Sequence, residues 1–137
     1  MAEGTFIDID KAPEVKRGGG IVTRPLIVKH NTPGAKFTTG MTRFPPGEGA
    51  PMHSHNCDEQ VTVLEGTGIY EVDGVVTELK QHDTTYIPAG LPHRFHNTSD
   101  APMAILWIYA SPEVTRTFTA TGETVAHLSG ADMMVSE

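Results

Sequence analysis

Cysteine is nearly missing from the chain: Cys57 is the one example in 137 residues. No internal disulfide framework can staple the fold, which agrees with a reducing compartment. Basic charge is also scarce, with ten lysines and arginines against seventeen acidic residues and a net charge of −7. No lysine/arginine cluster offers a footprint for a phosphate backbone, so nucleic acid is excluded as a partner. No apolar run approaches the ~20 residues that cross a bilayer. The opening stretch "MAEGTFIDIDKAPEVKRGGG" carries acidic residues where a signal peptide needs a basic and then an apolar segment. A cytoplasmic protein without a membrane partner is expected. Internal repeats, coiled-coil heptads and low-complexity runs are absent as well.

What is present points to β structure. Fourteen glycines and ten prolines fall between short segments rich in valine, isoleucine, threonine and tyrosine. The length suits one domain with a real core. Strands are expected at 5–9 and 21–29, with the intervening "KAPEVKRGGG" broken by its prolines and glycines. Residues 35–44 alternate and stop at Pro45, 52–55 are extended, and 60–65 continue the pattern. "GTGIYEVDGVVTEL" reads as a hairpin with a type I′ turn at Asp73-Gly74. Further strands are expected at 84–87, 94–96, through "APMAILWIYAS", and at 114–119, before a polar, glycine-punctuated end. Many short strands joined by tight turns suggest a small barrel or sandwich.

The chemistry concentrates in "GEGAPMHSHNCDEQVTVLEG", residues 47–66. Side chains at i and i+2 of a strand share a face at ~7 Å, so His53 and His55 project together and can bind one ion. Glu59 follows after a short turn and shares its parity with Val61 and Val63, whereas Asp58 points the other way. A fourth ligand has to come from elsewhere. His93 in "IPAGLPHRFHN" is the best placed, with His96 as the rival on the opposite face.

These residues carry a resemblance. Gly47, His53-x-His55, Glu59 and Gly66 resemble the first motif of the cupin family, G-x5-H-x-H-x3-E-x6-G, at every defined position. Pro88-x-Gly90, His93 and Asn97 resemble the second, G-x5-P-x-G-x2-H-x3-N, with His82 standing where its first glycine belongs. Residues 67–81 form a short spacer, similar to that of compact bacterial single-domain cupins. The resemblance implies an all-β fold, a double-stranded β-helix or jelly-roll barrel of six to eight strands. It implies one divalent metal ion on His53, His55, Glu59 and His93. The whole chain, 1–137, is then one cupin domain, with N-terminal strands at 1–34 available for dimer contacts, a barrel core at 35–110 and a tail at 111–137. Many members are homodimers, and the same is expected here.

A set of three imidazoles and one carboxylate suits iron, manganese, nickel, cobalt or zinc. Two open positions on an octahedral ion permit Lewis-acid chemistry on a bidentate small-molecule substrate, of dioxygenase or decarboxylase type, or isomerase and lyase type. Glu59 is the one carboxylate in the set and the candidate catalytic base. The alternative is a non-catalytic barrel that holds a metal or small ligand. Cys57 lies between ligands without a base partner and reads as tolerated; the thiol-oxidising relatives of the family typically lack the glutamate. Arg43, Tyr70, His96, Trp107 and Tyr109 are candidate pocket walls. Arg43 either meets a substrate carboxylate or lies exposed; Trp107 and Tyr109 read as core, and His30 and His127 as surface.

Overall fold

The computed structural model describes residues 4–134. The first three residues of the expected 1–34 segment and the last three of 111–137 lie outside the described residues. Twelve strands run in chain order: β1 (Val15–Lys16), β2 (Val22–Pro25), β3 (Thr38–Phe44), β4 (His53–His55), β5 (Glu59–Glu65), β6 (Gly68–Val72), β7 (Val75–Leu79), β8 (Thr84–Ile87), β9 (His93–His96), β10 (Met103–Tyr109), β11 (Thr115–Phe118) and β12 (Thr124–Ala126). They form two six-stranded antiparallel sheets, ordered β1-β2-β3-β10-β5-β8 and β12-β11-β4-β9-β6-β7. This is the double-stranded β-helix expected from the motifs. Among the described residues no helix is long and apolar enough to cross a membrane.

The alternation read from the sequence decides which side faces inward. Glu59, Val61 and Val63 of β5 are buried, as are Met103, Ile105, Trp107 and Tyr109 of β10, and together with Phe44, Ile87 and Phe95 they fill the space between the sheets. Each such apolar side chain contributes about 1.5–3 kcal/mol by leaving water. In β3 the inward set is Thr38, Gly40, Thr42 and Phe44. A Cβ at Gly40 would lie 2.3 Å from the Trp107 ring, so the glycine makes room for the indole. At the β6–β7 turn Asp73 and Gly74 both have positive φ, 51° and 76°, as a type I′ hairpin requires.

Four expectations need correction. Residues 5–9 are not a strand: Phe6 is 87% exposed, no strand pairs with it among the described residues, and the Asp8 side chain accepts from Asp10 N to cap a single 3-10 turn at Ile9–Lys11. The stretch "KAPEVKRGGG" is not merely a breaker. Val15 and Lys16 pair with Thr23 and Val22 because Gly18, Gly19 and Gly20, all at positive φ, fold a tight hairpin that Arg17 N closes on Ile21 O at 2.8 Å. The strand expected at 21–29 covers only Val22–Pro25; Leu26 N and Ile27 O still bond to Thr39, and the chain then turns as Asn31 N and Thr32 N donate to Val28 O. The strand count exceeds six to eight because this hairpin extends one sheet and the β11–β12 pair extends the other.

Candidate metal centre

β4 and β9 are neighbours, and their register sets His53 directly opposite His93. His55, two residues on, shares the inward face of β4. The three rings converge, with centroids 4.4 to 5.5 Å apart, and all three residues are buried. One nitrogen from each lies within 4.8 Å of the other two, so the triad could hold a metal ion.

The other nitrogen of each ring fixes the tautomer. His53 Nδ1 lies 2.6 Å from Pro51 O, His55 Nδ1 3.0 Å from Thr115 O, and His93 Nδ1 2.8 Å from Leu91 O. A backbone carbonyl only accepts, so each Nδ1 carries the hydrogen and each Nε2 presents a lone pair to the interior. Metal-binding imidazoles are oriented in this way by an outer partner.

Glu59 opens β5 with its carboxylate against two members of the triad, Oε1 standing 3.2 Å from His93 Nε2 and 3.8 Å from His55 Nε2. Glu59 Oε1 and His93 Nε2 are buried and have no aligned hydrogen bond among the described residues. A lone pair therefore faces an oxyanion, and a cation between them relieves the repulsion. The donor set and this orphaned pair fit a divalent ion.

Electrostatics agree. Burial pushes His53 well below the ordinary imidazole value, helped by Arg116, His93 and His55. Burial likewise pushes His55 down to about 4 against the opposing pull of Glu59. Neutral imidazoles are the ligating form. Burial would raise the Glu59 carboxyl, but the neighbouring His93 and His55 rings and the Tyr109 hydroxyl hold it below the usual carboxylate range.

The remaining candidates fall on either side of the sheets. Asp58 faces outward, accepting from Ala89 N at 2.8 Å and from the Tyr86 hydroxyl. His96 lies away from the triad, beside Gly49. Asn97, the last motif position, is fully buried and structural, its amide donating to Phe44 O and Ala101 O while Oδ1 accepts from Ser99. Arg43 is exposed and pairs with Glu65 at 3.0 Å, so the reading as a buried substrate partner is overturned. Tyr70 stacks on Phe95, itself part of the cavity wall, and burial with the Glu59 charge raises its hydroxyl. Cys57 is buried, and that burial, with the Glu59 and Asp58 charges, raises its thiol to about 11, far from a reactive thiolate.

Trp107 and Tyr109, expected as core, also line the triad's cavity, the Tyr109 hydroxyl lying 3.3 Å from His55 Nε2 and the indole donating to Thr42 at 2.9 Å. His30 is exposed as expected. His127 is not a surface residue: its ring packs edge-on against Trp107 and Tyr109 at 5.1 and 5.0 Å on the cavity wall, although the residue keeps some exposed area. Burial, with Arg116 and Arg17, holds that imidazole well below its ordinary value.

Sequence reasoning missed an ion cluster beside the cavity. Arg17, Arg116 and Asp132 are 1%, 2% and 1% exposed. Asp132 Oδ2 accepts from Arg17 Nη2 at 2.9 Å and from Leu128 N at 2.7 Å, and its Oδ1 lies 2.9 Å from Arg116 Nε. These partners are 115 residues apart for Arg17 and Asp132, so no local pattern links them. The cavity among these groups is about 20 Å³, room for a water or an ion.

A model described as "Cupin domain" matches residues 40–109. The chain belongs to the cupin family. Among curated relatives, uncharacterized protein MJ1618 of Methanocaldococcus jannaschii is 32% identical over 69% of this chain and 75% of its own length. The tetracenomycin polyketide synthase protein TcmJ of Streptomyces glaucescens is 25% identical over 70% of this cupin and 64% of its own length. Among solved structures, a cupin-superfamily sugar phosphate isomerase from Silicibacter pomeroyi superposes with a TM-score of 0.72 at 21% identity, covering 96% of this chain and all of that one.

Proposed function

We propose that this cupin is a metal-dependent small-molecule enzyme whose centre is His53, His55, His93 and Glu59. The observation that carries the reading is the fixed tautomer of all three imidazoles, which aims three lone pairs and one carboxylate at a common buried point. A bound divalent ion would supply Lewis acidity to a bidentate substrate. The chain's own residues do the rest. The histidines hold their orientation through Pro51, Thr115 and Leu91, the Phe95 and Trp107 rings line the cavity, and Glu59 Oε1, 3.2 Å from His93 Nε2, is the base that takes a proton from a ligand there. Dioxygenase or decarboxylase chemistry is the preferred assignment, with isomerase or lyase chemistry open to the same donor set. The relatives' names do not choose between them, since one barrel hosts many reactions.

Metal content by inductively coupled plasma mass spectrometry on tag-free protein tests this, beside a His53→Ala/His93→Ala double variant. Near-stoichiometric iron or manganese, lost in the variant, supports the oxygenase and decarboxylase readings; zinc or nickel directs assays to isomerase and lyase reactions. No metal in either protein after reconstitution overturns the proposal. The smallness of the cavity favours one alternative, a barrel that holds an ion or tiny ligand without turnover. A panel of diketones, catechols, keto acids and sugars, with oxygen uptake followed in parallel, separates the two.

We further propose a cytoplasmic homodimer. β7 is a sheet edge with Val75 65% and Val76 54% exposed, an apolar edge that a second copy would cover. A monomer mass by light scattering overturns the pairing.

A further inference from the structure

Arg116 stands directly opposite His55 on the neighbouring strand, so its side chain shares the inward face with the triad and lines the same cavity. Arg17 is fully engaged, donating to Asp132 O, Asp132 Oδ2 and Thr23. Arg116 is not. Its Nε pairs in charge with Asp132 at 2.9 Å but is not aligned for a hydrogen bond, and its buried Nη1 has no partner among the described residues. A guanidinium that is 2% exposed and has an idle donor at a cavity wall is costly unless an acceptor arrives.

The buried charges point the same way. The carboxylates of Glu59 and Asp132 balance the two guanidiniums, and each imidazole of the triad spends its Nδ1–H on a backbone carbonyl. A divalent ion at the triad would leave two positive charges uncompensated in an enclosed space. An anion completes such a set, and a planar oxyanion suits the guanidinium fork.

We propose that Arg116 is the recognition residue of the cavity and that the ligand is a small carboxylate, with one oxygen toward the histidine triad and another accepting from Arg116 Nη1. This rests on the metal-centre reading above. The cavity of about 20 Å³ restricts that ligand to the size of formate.

The test loads tag-free protein with cobalt(II) and follows its visible absorption while formate, or the neutral isostere formamide, is added. Formate is expected to change the spectrum saturably and formamide to leave it unchanged at the same concentrations. Arg116→Gln is expected to weaken the formate response at least tenfold with cobalt content unchanged. Arg116→Lys, which keeps the charge but not the fork, is expected to fall between, and serves if the glutamine variant does not fold. Equal responses to formate and formamide, or full formate affinity in either variant, overturns the proposal while leaving the metal centre standing. Failure to bind cobalt at all overturns both.

Discussion

His93 Nε2 faces Glu59 Oε1 across 3.2 Å, both atoms buried and neither in an aligned hydrogen bond. With Nδ1–H committed to Leu91 O, two acceptors confront each other. Replacing the carboxylate with an amide changes the sign of that contact, because the amide N–H can donate to the imidazole. Glu59→Gln is therefore expected to leave the metal-free protein within about 1 kcal/mol of wild type, while the rise in melting temperature on adding metal shrinks. Thermal melts with chelator and with metal measure both. A loss of several kcal/mol in the metal-free protein would show that Glu59 is needed as a structural anion. If a reaction is found and turnover survives in this variant at unchanged metal content, the base role assigned to Glu59 is wrong.

Stability should fall as the solution is acidified, and the histidines set the window. His53, His55 and His127 all sit below the ordinary imidazole value of 6.5, His55 at about 4. Between those limits the unfolded chain takes up protons that the folded chain refuses. Stability is thus complete above pH 6.5 and declines on the way down. Within the window His55 alone contributes about 1.4 kcal/mol per pH unit. Glu59, also held below its ordinary 4.5, adds a loss of the same sign at lower pH. In chelator, the urea midpoint at pH 5 should lie clearly below that at pH 7.5; an equal or higher midpoint contradicts the burial of neutral imidazoles.

Parity made half of the site legible. His53 and His55 share a face, Glu59 travels with Val61 and Val63, and His93 rather than His96 turns inward, all as a period of two dictates. Parity does not say which face is inward when neither is clearly apolar. On β3 the buried face carries Thr38, Gly40 and Thr42, and Arg43 lies with the exposed one. Arg17, Arg116 and Asp132 were invisible for another reason. Their meaning lies in a long-range closure between an N-terminal hairpin and a C-terminal tail, and each read singly is an ordinary polar residue in a polar stretch. His127 was lost with them.

His82 occupies the second motif's glycine position with φ at +75°. The backbone keeps the left-handed turn that the glycine would serve, anchored by His82 N donating to Val63 O at 2.8 Å. The imidazole is exposed. A side chain in that region costs about 1–2 kcal/mol, partly offset by its lower unfolded-state entropy. His82→Gly should raise stability by about 0.5–1 kcal/mol in urea melts, with metal content unaltered. A destabilised variant would mean that the histidine has a partner outside the turn.

Asp132 is the one carboxylate between two buried guanidiniums, and it ties the tail to β1's turn and to β11. Its Oδ2 also takes Leu128 N, and Met134 N donates to Arg17 O at 2.8 Å, so the last described residues are pinned by the same cluster. Removing the anion leaves two enclosed positive charges and orphans a backbone donor. Breaking a buried pair from one side costs about 3–5 kcal/mol. Asp132→Ala should lose stability of that size, and the tail should become the first site of cleavage in limited proteolysis. Asp132→Asn keeps the shape and an acceptor oxygen but not the charge, so it separates the two contributions. If asparagine restores the tail's protection without restoring stability, the hydrogen bonds hold the tail and the charge balances the arginines. If alanine costs less than about 1 kcal/mol, the cluster is solvated in solution and its burial does not govern the fold.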